Sequence, residues 1–173
     1  LLFGYLLGKK ELALEYFAKV EKEYLQLKKE VANFENAPTV LSGNLWSDIW
    51  HTPAGESFHA LLLRDAKSSY VYADSKGTGS LSLSLEKVIQ DNRETEFWIN
   101  TGMPSKDQIL QSQEKLKHLQ PMKNDKVYDY SKSGNLYWEM GAIEPQKVLS
   151  DYIKIFHPEL KKEVPFYFYH PVK

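Results

Sequence analysis

The segment Gly79-Ser-Leu-Ser-Leu-Ser-Leu-Glu-Lys-Val-Ile-Gln-Asp-Asn-Arg-Glu-Thr-Glu-Phe-Trp-Ile99 sets a carboxylate, Glu86, in the first turn of a short helix opened by Ser84. A helix dipole favours negative charge there, so a glutamate with its head in water can serve as a cap, a solubility device or a docking point. The segment reads as a loop, that helix, and a buried strand Phe97–Ile99. Aromatic residues supply the other candidate chemistry. Trp46 and Trp50 follow a strand-like run at Thr39–Ser42, and Tyr137, Trp138 and Glu139 follow another at Lys126–Tyr130. In parallel sheets ligands bind beyond the carboxyl ends of strands, and Trp and Tyr offer flat, amphipathic surface to a large ligand. Gly79, Ser80 and Thr101 also follow strand ends, so all eight are expected along one edge of a sheet. The competing reading is that the rings merely close that edge against loops.

Catalytic signatures are absent from the sequence. Gly77-Thr-Gly79 is a fragment of a phosphate loop and does not run from strand directly into helix. No GxSxG elbow occurs. His51, Glu56 and His59 have the wrong spacing for a zinc-protease helix, and Pro53 and Gly55 interrupt them. His157-Pro-Glu159 reads as a helix stop, because proline cannot continue a helix and a cationic ring suits its end. The sequence calls for no metal and no resident cofactor.

The elements that must position these residues alternate along the chain. Ala13, Phe17, Val20, Tyr24, Leu27, Val31 and Phe34 recur at spacings of four and three, one apolar stripe on a helix over Lys10–Phe34. Such a helix is roughly 37 Å long at about 1.5 Å per residue. It reads as a rod packed outside an α/β body, with a coiled-coil seam as the alternative. Strands are expected at Thr39–Ser42, Tyr70–Tyr72, Phe97–Ile99 and Lys126–Tyr130. Helices are expected at Glu56–Arg64, after Ser84, from Ser105 to about Leu119, and from Pro145 to about Phe156, with 43–55 and 131–144 as loops. Strands alternating with helices predict parallel βαβ units and a three-layer αβα sheet. The aromatic tail Val164–Pro171 should lie against the body.

Composition bounds the partners. The chain has 173 residues, 42% hydrophobic and 26% charged, enough for one α/β domain with a core. With 22 basic and 23 acidic residues well mixed, the formal net charge is −1, and no basic face points to nucleic acid. Zero cysteines exclude disulfides, thiolate metal sites and cysteine nucleophiles. No apolar run approaches the roughly 20 residues of a membrane span. The chain opens Leu1-Leu-Phe-Gly-Tyr5 with neither an initiator Met nor a signal peptide, as expected of the middle of a longer protein.

The order of these pieces resembles the C-terminal lobe of the class III periplasmic substrate-binding proteins of ABC importers. The resemblance rests on the long charged helix with Ala37-Pro-Thr-Val-Leu41 behind it, Pro53-Ala-Gly-Glu-Ser-Phe58 entering a helix, Leu83-Ser-Leu-Glu-Lys-Val-Ile89, Phe97-Trp-Ile99, Lys126-Val-Tyr128 and the run Pro145–Leu160. Those receptors carry iron–siderophores, haem or cobalamin between two α/β lobes joined by one long helix. The resemblance implies residues 1–9 as the end of an N-terminal lobe missing from this chain, 10–36 as the inter-lobe helix and 37–173 as the C-terminal lobe. It implies a receptor, not an enzyme, in the periplasm or held at the cell surface as a lipoprotein, peripheral to the membrane. Its ligand would be a metal chelate, an iron–siderophore first, then cobalamin, then haem. Glu86 stands where the family's C-lobe glutamate pairs with arginines of the permease subunits, a charge-assisted contact suited to a carboxylate. The rival class is a doubly wound α/β enzyme domain acting on a phosphorylated or nucleotide-like substrate.

Overall fold

The computed structural model describes residues 1–160 and 163–173. Two helices open the chain, α1 (Leu2–Leu6) and α2 (Lys10–Val31). α2 runs unbroken through Tyr24 and ends three residues before the expected Phe34. Its C-terminal two thirds pack most closely on the body. Val20 and Val31 are buried, with Tyr24 and Leu27 against the same core, whereas Leu12, Leu14, Tyr16 and Phe17 are exposed. The Tyr24 hydroxyl donates to Asp65 Oδ2 at 2.8 Å and Lys28 Nζ lies 3.1 Å from the same oxygen, pinning that part.

The body holds two sheets. The larger has the order β4 (Ser69–Tyr70), β1 (Thr39–Ser42), β6 (Phe97–Ile99), β7 (Val127–Asp129) and β8 (His170–Pro171). The first four strands are mutually parallel and β8 runs antiparallel to β7. Strand alternation feeds both faces. Val40, Phe97 and Ile99 enter one core with α3 (Phe58–Asp65) and α8 (Pro145–Phe156). Leu41, Trp98 and Val127 enter the other with α4 (Leu85–Asp91), α5 (Lys106–Ser112) and α6 (Gln120–Lys123). The fold is therefore the expected three-layer α/β arrangement, mostly parallel with helices on both sides. The tail joins it: Asp151 on α8 accepts the backbone N–H groups of Tyr167, Phe168 and Tyr169 at 2.7–3.0 Å.

Several elements depart from the sequence reading. The expected loop 43–55 is a hairpin, β2 (Asn44–Trp46) and β3 (Ile49–Pro53), and the expected loop before Ser84 is a strand, β5 (Ser80–Ser84), paired antiparallel with β3. The hairpin turns at Ser47 and Asp48, both at positive φ (48° and 65°). Positive φ at both central residues matches the twist of a two-residue hairpin. β4 stops at Tyr70, because Ala73 N–H bonds the Tyr70 carbonyl and turns the chain away. The helix after Ser105 ends at Ser112, where extended Gln113 starts a 3-10 turn, Glu114–His118. The expected loop 131–144 contains a short helix, α7 (Leu136–Met140).

Candidate functional site

A cavity of about 390 Å³ opens at the carboxyl edge of the parallel strands. Its floor is Ser42 at the end of β1, with Asn100 and Tyr130 just beyond β6 and β7. The hairpin supplies one wall. In β3, Trp50 and Thr52 are buried while His51 between them is only partly so, which leaves His51 to line the cavity. Thr78, Gly79 and Ser80 continue that wall, and α3 and α7 close the opposite side with Phe58, His59, Tyr137 and Trp138. Gly43 makes the close approach of β1 to the hairpin: at φ +102° a Cβ would stand 2.0 Å from the His51 carbonyl oxygen, a place only glycine can fill.

The aromatic wall is stacked. Tyr130 and Tyr137 lie with centroids 4.1 Å apart and planes 11° from parallel, and Trp138 meets each of them edge to face at 5.5 and 5.4 Å. The two edge-to-face contacts stand at separations where aromatic quadrupoles attract. The Tyr137 hydroxyl is 3.2 Å from His59 Nδ1, and burial lowers the tendency of His59 to protonate. Burial also raises both tyrosines well above the usual phenol range, with the negative field of Asp129 adding to it, so both stay protonated. Trp138 leaves 66% of its surface exposed, and Phe58 46%, so the rim is apolar and open.

A hydrogen-bond network fixes the floor. Asn100, at φ 62°, donates through Nδ2 to Ser42 Oγ at 2.9 Å and accepts from the Tyr169 hydroxyl, which meets that of Tyr152 at 3.1 Å. Asparagine tolerates this left-handed conformation better than most residues. Beside it the buried Asp129 accepts Gly102 N–H at 2.8 Å and Ser131 N–H at 2.7 Å. These internal hydrogen bonds fix the orientation of the polar floor.

Of the eight residues expected at the sheet edge, Gly79, Ser80, Tyr137 and Trp138 line the cavity. Trp50 is fully buried against Trp98, with its indole N–H donating to the Ser42 carbonyl at 3.2 Å. Trp46 is 71% exposed beside the hairpin turn, Thr101 is buried with its hydroxyl on the Met103 carbonyl, and Glu139 is exposed on α7; none of these lines the cavity. Sequence reading missed Asn44, His51, Asn100, His59 and Tyr130. The two histidines lack zinc-ligand spacing and read as isolated surface residues, and Tyr130 lies directly before a glycine-bearing stretch that marks it as a strand-end residue. Glu86 lies in the first turn of α4, whose cap is the Ser84 hydroxyl accepting Lys87 N–H. Its carboxylate is exposed, 3.8 Å from the equally exposed Lys115.

Comparison with known proteins gives a consistent picture. Residues 2–133 match the model of a family described as periplasmic binding protein. An uncharacterized lipoprotein of Methanocaldococcus jannaschii is 25% identical over 168 residues, covering 93% of this chain and 38% of that protein. Among solved structures, a possible iron-binding, periplasmic solute-binding protein of Staphylococcus epidermidis aligns over 90% of this chain and 58% of its own, with TM-score 0.69 and 17% identity. The periplasmic heme-binding protein RhuT of Roseiflexus sp. RS-1 aligns over 90% and 59%, with TM-score 0.67 and 17% identity. S. aureus IsdE, solved with heme, aligns over 90% and 61%, with TM-score 0.65 and 18% identity. The chain therefore spans 38% of the curated relative and about three fifths of these solved structures.

Proposed function

Because this chain belongs to the periplasmic binding protein family, we propose that it is the C-terminal lobe of an ABC importer's solute receptor, one that captures an iron–siderophore or similar metal chelate and delivers it to the membrane permease. The observation that carries this reading is the open cavity at the carboxyl edge of the sheet, with Tyr130, Tyr137 and Trp138 stacked on one side and polar Asn44, His51 and Ser80 on the other. An aromatic wall facing a hydrogen-bonding wall suits a large, amphipathic ligand better than a small ion. The family is one of binding proteins, which favours capture over catalysis.

In this reading residues 1–9 end an N-terminal lobe and 10–36 form the inter-lobe helix. The exposed apolar face of α1 and the first half of α2 supports it: Phe3 is 76% exposed, Leu6 71% and Leu7 71%. Contiguous apolar surface of that kind marks a partner surface. Glu86, exposed and free of a buried partner, serves as the docking carboxylate for a permease arginine. A periplasmic location, or a lipid anchor like that implied by the name of the archaeal relative, fits the same role.

Fluorescence titration of the intact receptor with ferric siderophores, cobalamin and haem tests the proposal. At least one should quench tryptophan emission with saturable, micromolar or tighter affinity. Quenching by none of the three classes removes the chelate-receptor reading.

A further inference from the structure

Asn100 lines the sheet-edge cavity, and the way its amide faces decides whether the floor offers a donor or an acceptor there. The two ends of an asparagine amide have nearly the same shape, so hydrogen bonds rather than packing settle its orientation. The Tyr169 hydroxyl donates to Asn100 Oδ1, which leaves Nδ2 turned to Oγ of Ser42, another lining residue, at 2.9 Å. Tyr169 itself is fully buried and packs edge to face on Tyr130 and Tyr137 at 5.9 and 5.8 Å; it does not line the cavity. Strand pairing of the tail begins only after it, with His170 opposite Asp129 and Pro171 opposite Tyr128. The backbone N–H groups of Tyr167, Phe168 and Tyr169 go instead to one carboxylate, Asp151 on α8, at 2.9, 2.7 and 3.0 Å. Asp151 is only 1% exposed, so this clamp is shielded from competing water. One buried side chain therefore sets the course of the segment that delivers the Tyr169 hydroxyl to the floor.

We propose that Tyr169 and Asp151 are positioning residues for ligand binding. Asp151 clamps the tail backbone, and the clamped Tyr169 hydroxyl holds the Asn100 oxygen on the buried side, which keeps the amide NH2 group on the side of Ser42 and the cavity. Without that hydroxyl the amide is free to turn over and present an acceptor where a donor stood. Both residues act on the ligand through Asn100 and touch none of it themselves. This role rests on the sheet-edge cavity being the ligand site, and the two readings fail differently.

The test is a double-mutant cycle in affinity, read by calorimetric titration of the intact receptor with a ferric tris-hydroxamate, cobalamin and haem. For whichever of these the wild type binds, Tyr169→Phe should weaken binding at least fivefold and Asp151→Asn at least threefold. In an Asn100→Ala background, each should cost no more than a further twofold, because the group they act through is gone. A merely structural role would give the same loss in both backgrounds, and that result overturns the proposal, as does an unchanged affinity in Tyr169→Phe. Tyr169→Phe removes one oxygen and carries the test alone if thermal melts show Asp151→Asn to be unfolded. A second readout needs no ligand. The Asn100 side-chain NH2 resonances, assigned by their loss in Asn100→Ala, should shift in Tyr169→Phe; unmoved resonances also overturn the proposal. Shifted resonances in a receptor that binds none of the three chelates would uphold the hold on Asn100 and sink the receptor reading instead.

Discussion

Trp138 and Trp46 are both solvent-facing indoles, 66% and 71% exposed, but only Trp138 lines the cavity. Truncating each to alanine therefore separates a ligand platform from an incidental surface ring. A tryptophan carries up to about 250 Å², so its exposed two thirds amount to roughly 150 Å². A ligand lying on one face would cover about half of that, near 75 Å². At about 25 cal/mol per Å² this is about 2 kcal/mol, or roughly a 25-fold loss of affinity in Trp138→Ala. The buried third of the ring, packed on Tyr130 and Tyr137, adds a stability cost of similar size, short of unfolding a domain of ordinary stability. Trp46→Ala should change affinity by no more than about twofold. Isothermal titration calorimetry suits the comparison, because it does not depend on the indoles being removed, and thermal melts verify that both variants are folded. Equal losses in the two variants, or no loss in Trp138→Ala, would refute the assignment of this wall to the ligand.

Three further outcomes follow from the packing. Glu86→Ala should leave thermal stability within about 0.5 kcal/mol of wild type, since exposed ion pairs contribute little, while reducing transport in cells; a large stability loss would make Glu86 structural instead. Trp50→Ala should cost about 3–5 kcal/mol in chemical denaturation, because it empties a fully buried site and frees the Ser42 carbonyl of one donor. Burial outweighs three backbone hydrogen bonds at Asp151 and pushes its carboxyl up to about 6. The folded state therefore holds this proton more tightly than the unfolded chain, so the contribution is present below about pH 4 and is lost as pH rises through 6. It is worth about 3 kcal/mol. The stability advantage of wild type over Asp151→Asn should accordingly shrink between pH 4 and 7, and an advantage that grows over that range would contradict the burial argument.

Much of the scaffold was legible because it obeys local rules. Ser84 and Ser105 are hydroxyl caps at the first turns they were read to open, and Pro145 stands at the first position of α8. Phe97-Trp-Ile99 is apolar throughout because both faces of β6 are covered. What escaped reading depends on pairing. The Ser-Leu-Ser-Leu-Ser alternation of β5 carried the period of a strand, but serines beside a glycine-bearing stretch looked like a loop. The hairpin was hidden because Ser47 and Asp48 turn it without a glycine. α7 has no side-chain cap to announce it. The site suffered from the same gap. Tyr137 and Trp138 could be placed at a strand-end edge, yet the wall opposite them exists only because β3 pairs with β5 and turns His51 toward the cavity. Trp50, one residue before it, points the other way into the core.

The central claim is that the cavity at the sheet edge is one wall of a ligand site. The most direct measurement is a crystal structure of the intact receptor with its ferric chelate bound. The chelate is expected against the Tyr130–Trp138 wall, within hydrogen-bonding reach of Asn44, His51 or Ser80. A chelate bound elsewhere on the lobe, leaving Trp138 as solvent-exposed as it is here, would contradict it.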